Sequence, residues 1–435
     1  MSEPESSRAH IELADTDVEA EWSIFLAGDC IYQTEMASEP VGDGIQDQID
    51  EADLSLVNLE APVSVDSEPI AKSGPAKASA PSAPRMLASA GFDVACLANN
   101  HIMDFGADGL RATEQACTEA GIETVGAGET IDEALSLITA SIDSQTVAVI
   151  NVCEREFGIA GDEPGTAWVS HPTVEERIER AAESADIVLV VTHGGIEYVS
   201  FPPPGRQQTL RSFVESGADA VIGHHPHVAQ GWEIYNESPI VYSLGNFLFD
   251  QPNRPSTSWG LTVSLSGHGS SLAGLQIIPT EQYDGRVHKM DDPTSHLTYL
   301  GQVSDITAER ESLQAHWQEL AVRLFKQRYS SWLRTGTAAG PTQLLKDPRA
   351  ALGNAWDSSE RRTEMLTLLN VIRNESHRDV IETALAVEAG DIPDKRTPEI
   401  ERTVRDLLEW TEDRPVYDRP SFPVRIAQTL MRRLG

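Results

Sequence analysis

Between about residues 21 and 280 the chain alternates apolar runs of four to eight residues with stretches of helical periodicity, the pattern of an α/β domain. Ser23-Ile24-Phe25-Leu26-Ala27, Leu54-Ser55-Leu56-Val57, Asp186-Ile187-Val188-Leu189-Val190-Val191, Asp219-Ala220-Val221-Ile222 and Ile240-Val241-Tyr242 read as strands. The spacing predicts a helix over 107–120, where Leu110, Thr113, Ala116, Cys117 and Ala120 share one face and Gly121 supplies a stop. A second helix is predicted over 173–184, with glutamates in the first turns where the helix dipole favours them. The small-residue, Pro-rich stretch 71–84 and Phe201-Pro202-Pro203-Pro204-Gly205 read as loops.

The texture changes on either side of this region. Residues 1–20 are polar and acidic and read as a mobile tail. Residues 281–306 read as a polar linker, and 307–435 as a smaller helical domain with amphipathic helices over 314–333 and 359–388. Asn374-Glu375-Ser376-His377-Arg378 reads as capping or helix-packing polarity rather than catalysis. No repeat with a solenoid period is present.

Composition narrows the partners. The 435 residues carry a formal net charge of -35, with only six lysines beside 27 arginines. Such a surface disfavours nucleic acid and anionic membranes, and the lysine-poor acidic balance matches adaptation to a very salty cytoplasm. No run of 18 apolar residues occurs, and the first 22 residues lack an apolar core of the secretory type, so a soluble, cytoplasmic protein is expected without membrane insertion. Cys30, Cys96, Cys117 and Cys153 have no paired CxxC spacing and lie in apolar surroundings, so reduced, buried thiols are expected.

Five of the twelve histidines, His101, His193, His224, His225 and His227, fall just after apolar runs. A residue at the carboxyl end of a strand projects beyond the sheet, where several strands can aim ligands at one point. Gly28-Asp29 and Asn58-Leu59-Glu60 end two further runs. Asp29 alone could cap a helix, Asn100 alone could serve a turn, and His193 alone could be a core histidine, but those roles do not require several imidazoles at strand ends. A dinuclear site needs about six to eight N/O ligands, often with a shared carboxylate, and the residues available suit one or two ions. A mixed imidazole and carboxylate set without thiolate favours Mn, Zn or Fe. Lys72 and Lys77, two of the six lysines, lie in the 71–84 loop and mark either a meeting point for an anionic substrate or a solvated loop. No GxxxxGK[ST] loop supports an ATP-using ligase.

The motifs Gly28-Asp29, Asn58-Leu59-Glu60, Leu97-Ala98-Asn99-Asn100-His101-Ile102-Met103-Asp104-Phe105-Gly106, His193-Gly194-Gly195-Ile196-Glu197-Tyr198, His225-Pro226-His227-Val228 and Tyr242-Ser243-Leu244-Gly245-Asn246-Phe247 occur in that order. In this the sequence resembles the CapA family of capsule and poly-γ-glutamate biosynthesis proteins over about 22–280. The family is similar to calcineurin-like metallophosphatases, which implies a two-sheet sandwich flanked by helices with a metal site at the strand ends. The resemblance implies Asp29, Glu60, Asn100, His193, His225 and His227 as ligands of one or two divalent ions, with Glu60 in a bridging position. It implies His101 as general acid held by Asp104, and Asn58, Lys72, Glu197, Tyr198, Ser243 and Asn246 near the ligands or the substrate, while His224 looks replaceable. Metallophosphatases usually open with Asp-x-His, whereas Ile31 stands second after Asp29, and Glu60 stands where they carry a further Asp. One metal position is therefore expected to be poorer in ligands. The implied activity is hydrolysis of a phosphoester or an anionic polymer. A non-catalytic, polymer-binding accessory subunit is the alternative.

The charge balance makes salt the variable to test. At 1 M salt charges are screened over roughly 3 Å, which removes most of the self-repulsion of the acidic surface. The unfolding free energy is expected to rise from dilute buffer to molar KCl, and equal stability at both would remove the halophilic reading.

Overall fold

The computed structural model describes residues 9–13, 20–33, 39–251, 254–337, 345 and 362–411. Two mixed sheets face each other. In the nine-stranded sheet, Glu123–Val125, Val94–Cys96, Leu54–Leu59 and Trp22–Cys30 run parallel, and Trp259–His268 and Ser271–Tyr283 continue it in antiparallel sense. In the six-stranded sheet, Gln145–Cys153, Ile187–His193, Ala220–His224 and Ser238–Val241 are parallel, with an antiparallel strand at each edge, Ile138–Ile142 and Trp232–Tyr235. The parallel strands form one half of the first sheet and the centre of the second, and within each sheet their carboxyl ends share one rim.

Alternation along each strand decides the layers. Ile24 and Leu26 enter the core between the sheets with Leu189 and Val191, while Phe25 and Ala27 turn to the outer face of the first sheet. Val188 and Val190 pack on the outer face of the second sheet beside Ile178, Leu210 and Phe213 of two covering helices. Side chains one residue apart point to opposite faces, and strands covered on both faces read as nearly continuous apolar runs. This is the helix-flanked two-sheet sandwich. The helix expected over 107–120 spans Gly106–Ala120 and ends on Gly121 at φ +83°, a left-handed position that glycine occupies without strain.

The regions outside the sandwich differ from the sequence reading. His10–Glu12, within the expected acidic tail, pairs as an edge strand with Gly274 to Gln276; residues 1–8 and 14–19 lie outside the described residues. The stretch expected as a linker holds the end of the Ser271–Tyr283 strand, the strand Arg286–Lys289 and most of the helix Thr294–Ala308. Asp284 and Gly285 make the turn at φ +53° and +69°, the Asp-Gly hairpin signature that polar composition obscured. Leu300, Val303 and Ile306 then repeat at helical spacing and bury against the sandwich.

The helix expected over 314–333 falls in a run made of Arg310–Leu324, a π turn at Phe325–Tyr329 and Ser330–Thr337. The helix expected over 359–388 is broken into Arg362–Arg373 and Glu375–Ala389; residues 359–361 lie outside the described residues. Asn374 causes the break, because its side chain accepts a hydrogen bond from the His377 amide as an N-cap. Trp317, Leu320, Val371, Val380 and Val404 of the helices belong to the same core as Ile24, Leu189 and Leu261 of the sheets.

A shared core has a measurable consequence. Leu320→Ala is expected to destabilise the whole protein by about 2–5 kcal/mol, the range for a buried leucine, and sheets and helices should unfold together. Limited proteolysis should leave residues 286–308 uncut. Separate transitions, or rapid cleavage there, would restore an independent helical domain behind a linker.

Candidate metal centre

The first sheet brings carboxylates to the rim. Asp29 lies at the end of the Trp22–Cys30 strand, where its amide donates to the Gly245 carbonyl at 2.9 Å. That approach requires Gly28, since a Cβ there would lie 2.2 Å from the Gly245 oxygen. Glu60 follows the neighbouring Leu54–Leu59 strand, and its amide donates to the Cys30 carbonyl at 2.9 Å. Both carboxylates are fully buried. Asn58 donates to Asp29 Oδ1 at 2.8 Å and lies 3.3 Å from His193 Nδ1.

The second sheet brings imidazoles. His193 ends the Ile187–His193 strand, and its Nε2 lies 3.1 Å from both Asn100 Oδ1 and His225 Nδ1. His225 and His227 follow the Ala220–His224 strand in a turn that forces positive φ on both, +99° and +58°. Such backbone costs ~1–3 kcal/mol per residue and persists where its surroundings over-determine it. The His225 amide donates to Asp29 Oδ2 at 3.3 Å, which is part of that determination. His227 Nδ1 lies 3.0 Å from Asn246 Oδ1 and 3.2 Å from Asp29 Oδ2, while its Nε2 lies 3.6 Å from Glu60 Oε1. With Nδ1 donating to Asn246, the Nε2 lone pair faces Glu60, the outer-shell arrangement typical of ligating histidines.

Two potential ligand groups result, Glu60 with His193 and His225, and Asp29 with Glu60 and His227. Glu60 is common to both. Neither of its oxygens has a hydrogen-bond partner, although both are buried. A buried anion without donors is expensive, so the donor set of carboxylate, imidazole and amide oxygen, with no thiolate, fits divalent ions. Cys30 lies beneath the pair, and burial together with Asp29 and Glu60 pushes its thiol far above the usual range, so it stays protonated. All four cysteines are buried and free, as expected.

The protonation pattern reflects the same crowding. Burial pushes Asp29 up, but hydrogen bonds and charge from His224 and His227 outweigh it and hold the carboxyl well below the usual range. Burial pushes Glu60 well above that range against the opposing pull of His227, with Asp29 and Glu197 adding repulsion. Burial lowers His193 well below the ordinary imidazole value and lowers His225 to about 3. His227 rises to about 9, because Glu60 and Asp29 outweigh its burial.

Beside the two groups, His101 Nδ1 meets Asp104 Oδ2 at 2.6 Å. Lys72 Nζ binds the other Asp104 oxygen and donates to the Asn100 carbonyl at 3.0 Å, so this lysine is enclosed rather than solvated. Burial and Lys72 lower His101 to about 4 against the pull of Asp104. Lys77 sits over the Phe249 ring, 5.3 Å from its centroid, and its amide donates to Asp104 Oδ2. The Tyr198 ring lies 5.9 Å from that of His227 and carries the Arg254 guanidinium at 3.7 Å. Burial pushes Glu197 up, but His227 and His225 bring it down to about 2. Ser243 is buried and accepts from the Gly245 amide at 3.1 Å, which gives it a turn to hold.

Four residues near the centre went unassigned in the sequence reading. His224 Nδ1 comes within 3.2 Å of Asp29 Oδ1, so the position that looked replaceable touches a carboxylate of the site. Asn99 accepts from the amides of His101 and Ile102 and donates to Leu59 O, fixing the turn that presents Asn100 and His101. Its place before Asn100 was the available cue. Asn151 ties the Ala98 amide to the Val191 carbonyl, and so one sheet to the other. Glu156 reaches within 4.0 Å of His225 Nε2 from a loop that carries no sequence signal.

Several curated proteins are similar to the chain in sequence. The capsule biosynthesis protein CapA of Bacillus anthracis is 34% identical over 206 residues, 45% of this chain and 49% of that one. The PGA biosynthesis protein CapA of Bacillus subtilis is 35% identical over 171 residues, 38% of this chain and 45% of that one. A Mycobacterium tuberculosis protein named for polyglutamine synthesis as an accessory protein is 29% identical over 241 residues, 52% of this chain and 60% of that one. The chain thus spans about half the length of the curated relatives it matches. Among solved structures, a hypothetical protein from Thermus thermophilus aligns over 60% of this chain and 100% of its own at 16% identity and TM-score 0.41. A phosphatase from Mycoplasma pneumoniae aligns over 63% and 96% at 12% identity and TM-score 0.39. No helix among the described residues is long and apolar enough to cross a membrane. Residues 23–251, just over half of the sequence, match the family model described as bacterial capsule synthesis protein PGA_cap, and the chain belongs to that family.

Proposed function

We propose that the chain is a metal-dependent hydrolase that acts on a phosphoester or on an anionic polymer of the poly-γ-glutamate kind. The observation that carries this reading is the pair of ligand groups sharing Glu60, whose two buried oxygens have no hydrogen-bond donor. Asp29, Glu60 and His227 would hold one divalent ion, and Glu60, His193, His225 and Asn100 the other. Manganese, zinc and iron suit this donor set. When bound, the metal supplies Lewis acidity and an activated water.

The remaining roles fall to the chain itself. Asn58 orients Asp29 and His193, and Asn246 fixes the His227 ring so that Nε2 points toward Glu60. Asp104 accepts a hydrogen bond from Nδ1 of His101, which leaves Nε2 as the atom to carry a proton to the departing oxygen or nitrogen. An anionic substrate beside His101 favours its protonated form. Lys72 compensates Asp104, while Lys77 and Arg254 add positive charge where such a substrate enters. The charge of -35 and the scarcity of lysine support a salt-rich cytoplasmic setting.

A second reading is a non-catalytic subunit that grips the polymer during its synthesis. The accessory designation of the mycobacterial relative favours it.

Two measurements test the proposal. Purified protein should bind one or two equivalents of manganese and gain about 2.7 kcal/mol of stability at a hundredfold excess over the dissociation constant. Both effects should vanish in His225→Ala/His227→Ala, and a wild type that takes up no metal refutes the centre. Turnover of bis(4-nitrophenyl) phosphate should fall about 10²–10⁴-fold in His101→Ala, the usual contribution of general acid catalysis, while manganese stays bound. Tight binding of poly-γ-glutamate with no turnover of either compound would favour the accessory role.

A further inference from the structure

The helical region reaches the metal centre through a short chain of contacts. Glu156, 4.0 Å from His225 Nε2, receives a hydrogen bond from Asn370 of the Arg362–Arg373 helix. The next helix begins at Glu375, whose carboxylate accepts from the Arg155 amide, Trp168 Nε1 and Ser170 Oγ. Ser376 Oγ donates to Glu154 Oε1 at 2.7 Å. The helices therefore clamp the 154–170 loop, which forms one wall beside His225.

Arg373 stands on that wall. Its guanidinium lies over the Phe157 ring, 4.3 Å from the centroid, and its Nε and Nη2 are buried without a hydrogen-bond partner. Asn370 Oδ1, one helical turn earlier, is also buried without a partner. Each unsatisfied buried donor costs about 1–3 kcal/mol, more on a charged group, so native structures rarely tolerate two on one side chain unless something else meets them. Glu156 lies near enough for its charge to act on Arg373, but no Asp or Glu among the described residues forms an ion pair or a hydrogen bond with those two nitrogens. A guanidinium offers a planar fork matched to a carboxylate or a phosphate. Arg328, in the π turn Phe325–Tyr329, adds a second cation close enough to Glu197 and Tyr198 for its charge to act on both. π turns recur at functional positions in helices.

We propose that Arg373, supported by Arg328, forms an anion-binding subsite at the edge of the metal centre that holds a carboxylate or phosphate of the substrate away from the reacting bond. The helical region would then select among anionic substrates. The inference rests on the reading that such substrates come to this centre.

The test uses the full chain and two probes, γ-linked triglutamate and inorganic phosphate, titrated calorimetrically with manganese and again in EDTA. Wild type should bind at least one probe. Arg373→Gln should weaken that binding by about tenfold or more, as expected for loss of a charge-assisted fork, and Arg373→Lys should restore only part of it. Manganese affinity should be unchanged in both variants. The probe whose affinity falls identifies carboxylate or phosphate as the occupant. If Arg373→Gln does not fold, Arg328→Gln is the variant to read, with a smaller loss in the same direction. Wild-type affinity for both probes in the variants, or no binding of either by wild type, overturns the subsite. Metal uptake without any effect of Arg373→Gln sinks the subsite alone. Arg373-dependent binding in EDTA by a protein that takes up no manganese sinks the metal reading and leaves the subsite standing.

Discussion

Two carboxylates buried side by side set the terms for everything around them. Asp29 and Glu60 come from adjacent parallel strands of one sheet, and no solvent reaches either. Removing such charges from water costs several kcal/mol per ion unless opposite charge and hydrogen bonds replace it. Asp29 is compensated by Asn58, His224, His227 and the His225 amide. Glu60 has only imidazole nitrogens at 3.6 and 4.0 Å and no donor at all. The cluster is balanced for Asp29 and left open at Glu60, and a divalent cation closes that gap better than any residue present.

This constraint ties the centre to the sandwich itself. The acids come from one sheet and the imidazoles from the other, so the two sets meet only if the two carboxyl rims face each other across the core. Asn151 fixes that alignment by bonding Ala98 on one side and Val191 on the other. The strained turn at His225 and His227 is the cost of pointing two imidazoles back from the end of a single strand. Its backbone is held by the carboxylate it serves, since the His225 amide donates to Asp29. Fold stability and the geometry of the cluster are therefore not separable at this rim.

How much of this is legible in the sequence follows from the range of each interaction. Strand alternation is local, and the runs around Phe25, Val57, Leu189 and Ile222 announced an α/β core and the strand ends that carry Asp29, Glu60 and His193, while the two-sheet arrangement came from the family resemblance. Motif order then pointed to the family. The meeting of Asp29 with His225, 196 positions away, is a tertiary fact that no local spacing encodes. The Asp284-Gly285 hairpin was local and readable but masked by a polar composition, whereas the capping polarity around Asn374 was read and only the helix break it makes was hidden by a continuous amphipathic pattern. The wall formed by Glu156, Asn370 and Arg373 was not readable, because it depends on helices packing across a loop with no periodicity.

The whole chain is strongly acidic, while Lys72, Lys77 and Arg254 place cations beside the centre. A protein of -35 repels an anionic ligand in dilute solution, and the repulsion is long-ranged there. At molar salt it ends within roughly 3 Å, about a contact distance, so the acidic surface no longer opposes approach. Buried charges are screened much less than exposed ones. Lys72, enclosed against Asp104 and Asn100, keeps its local field under the same conditions, as do the sheltered nitrogens of Arg373. Salt therefore removes the surface barrier while leaving the interior attraction, and an acidic protein can recognise an anion as long as the cations beside its site are sheltered.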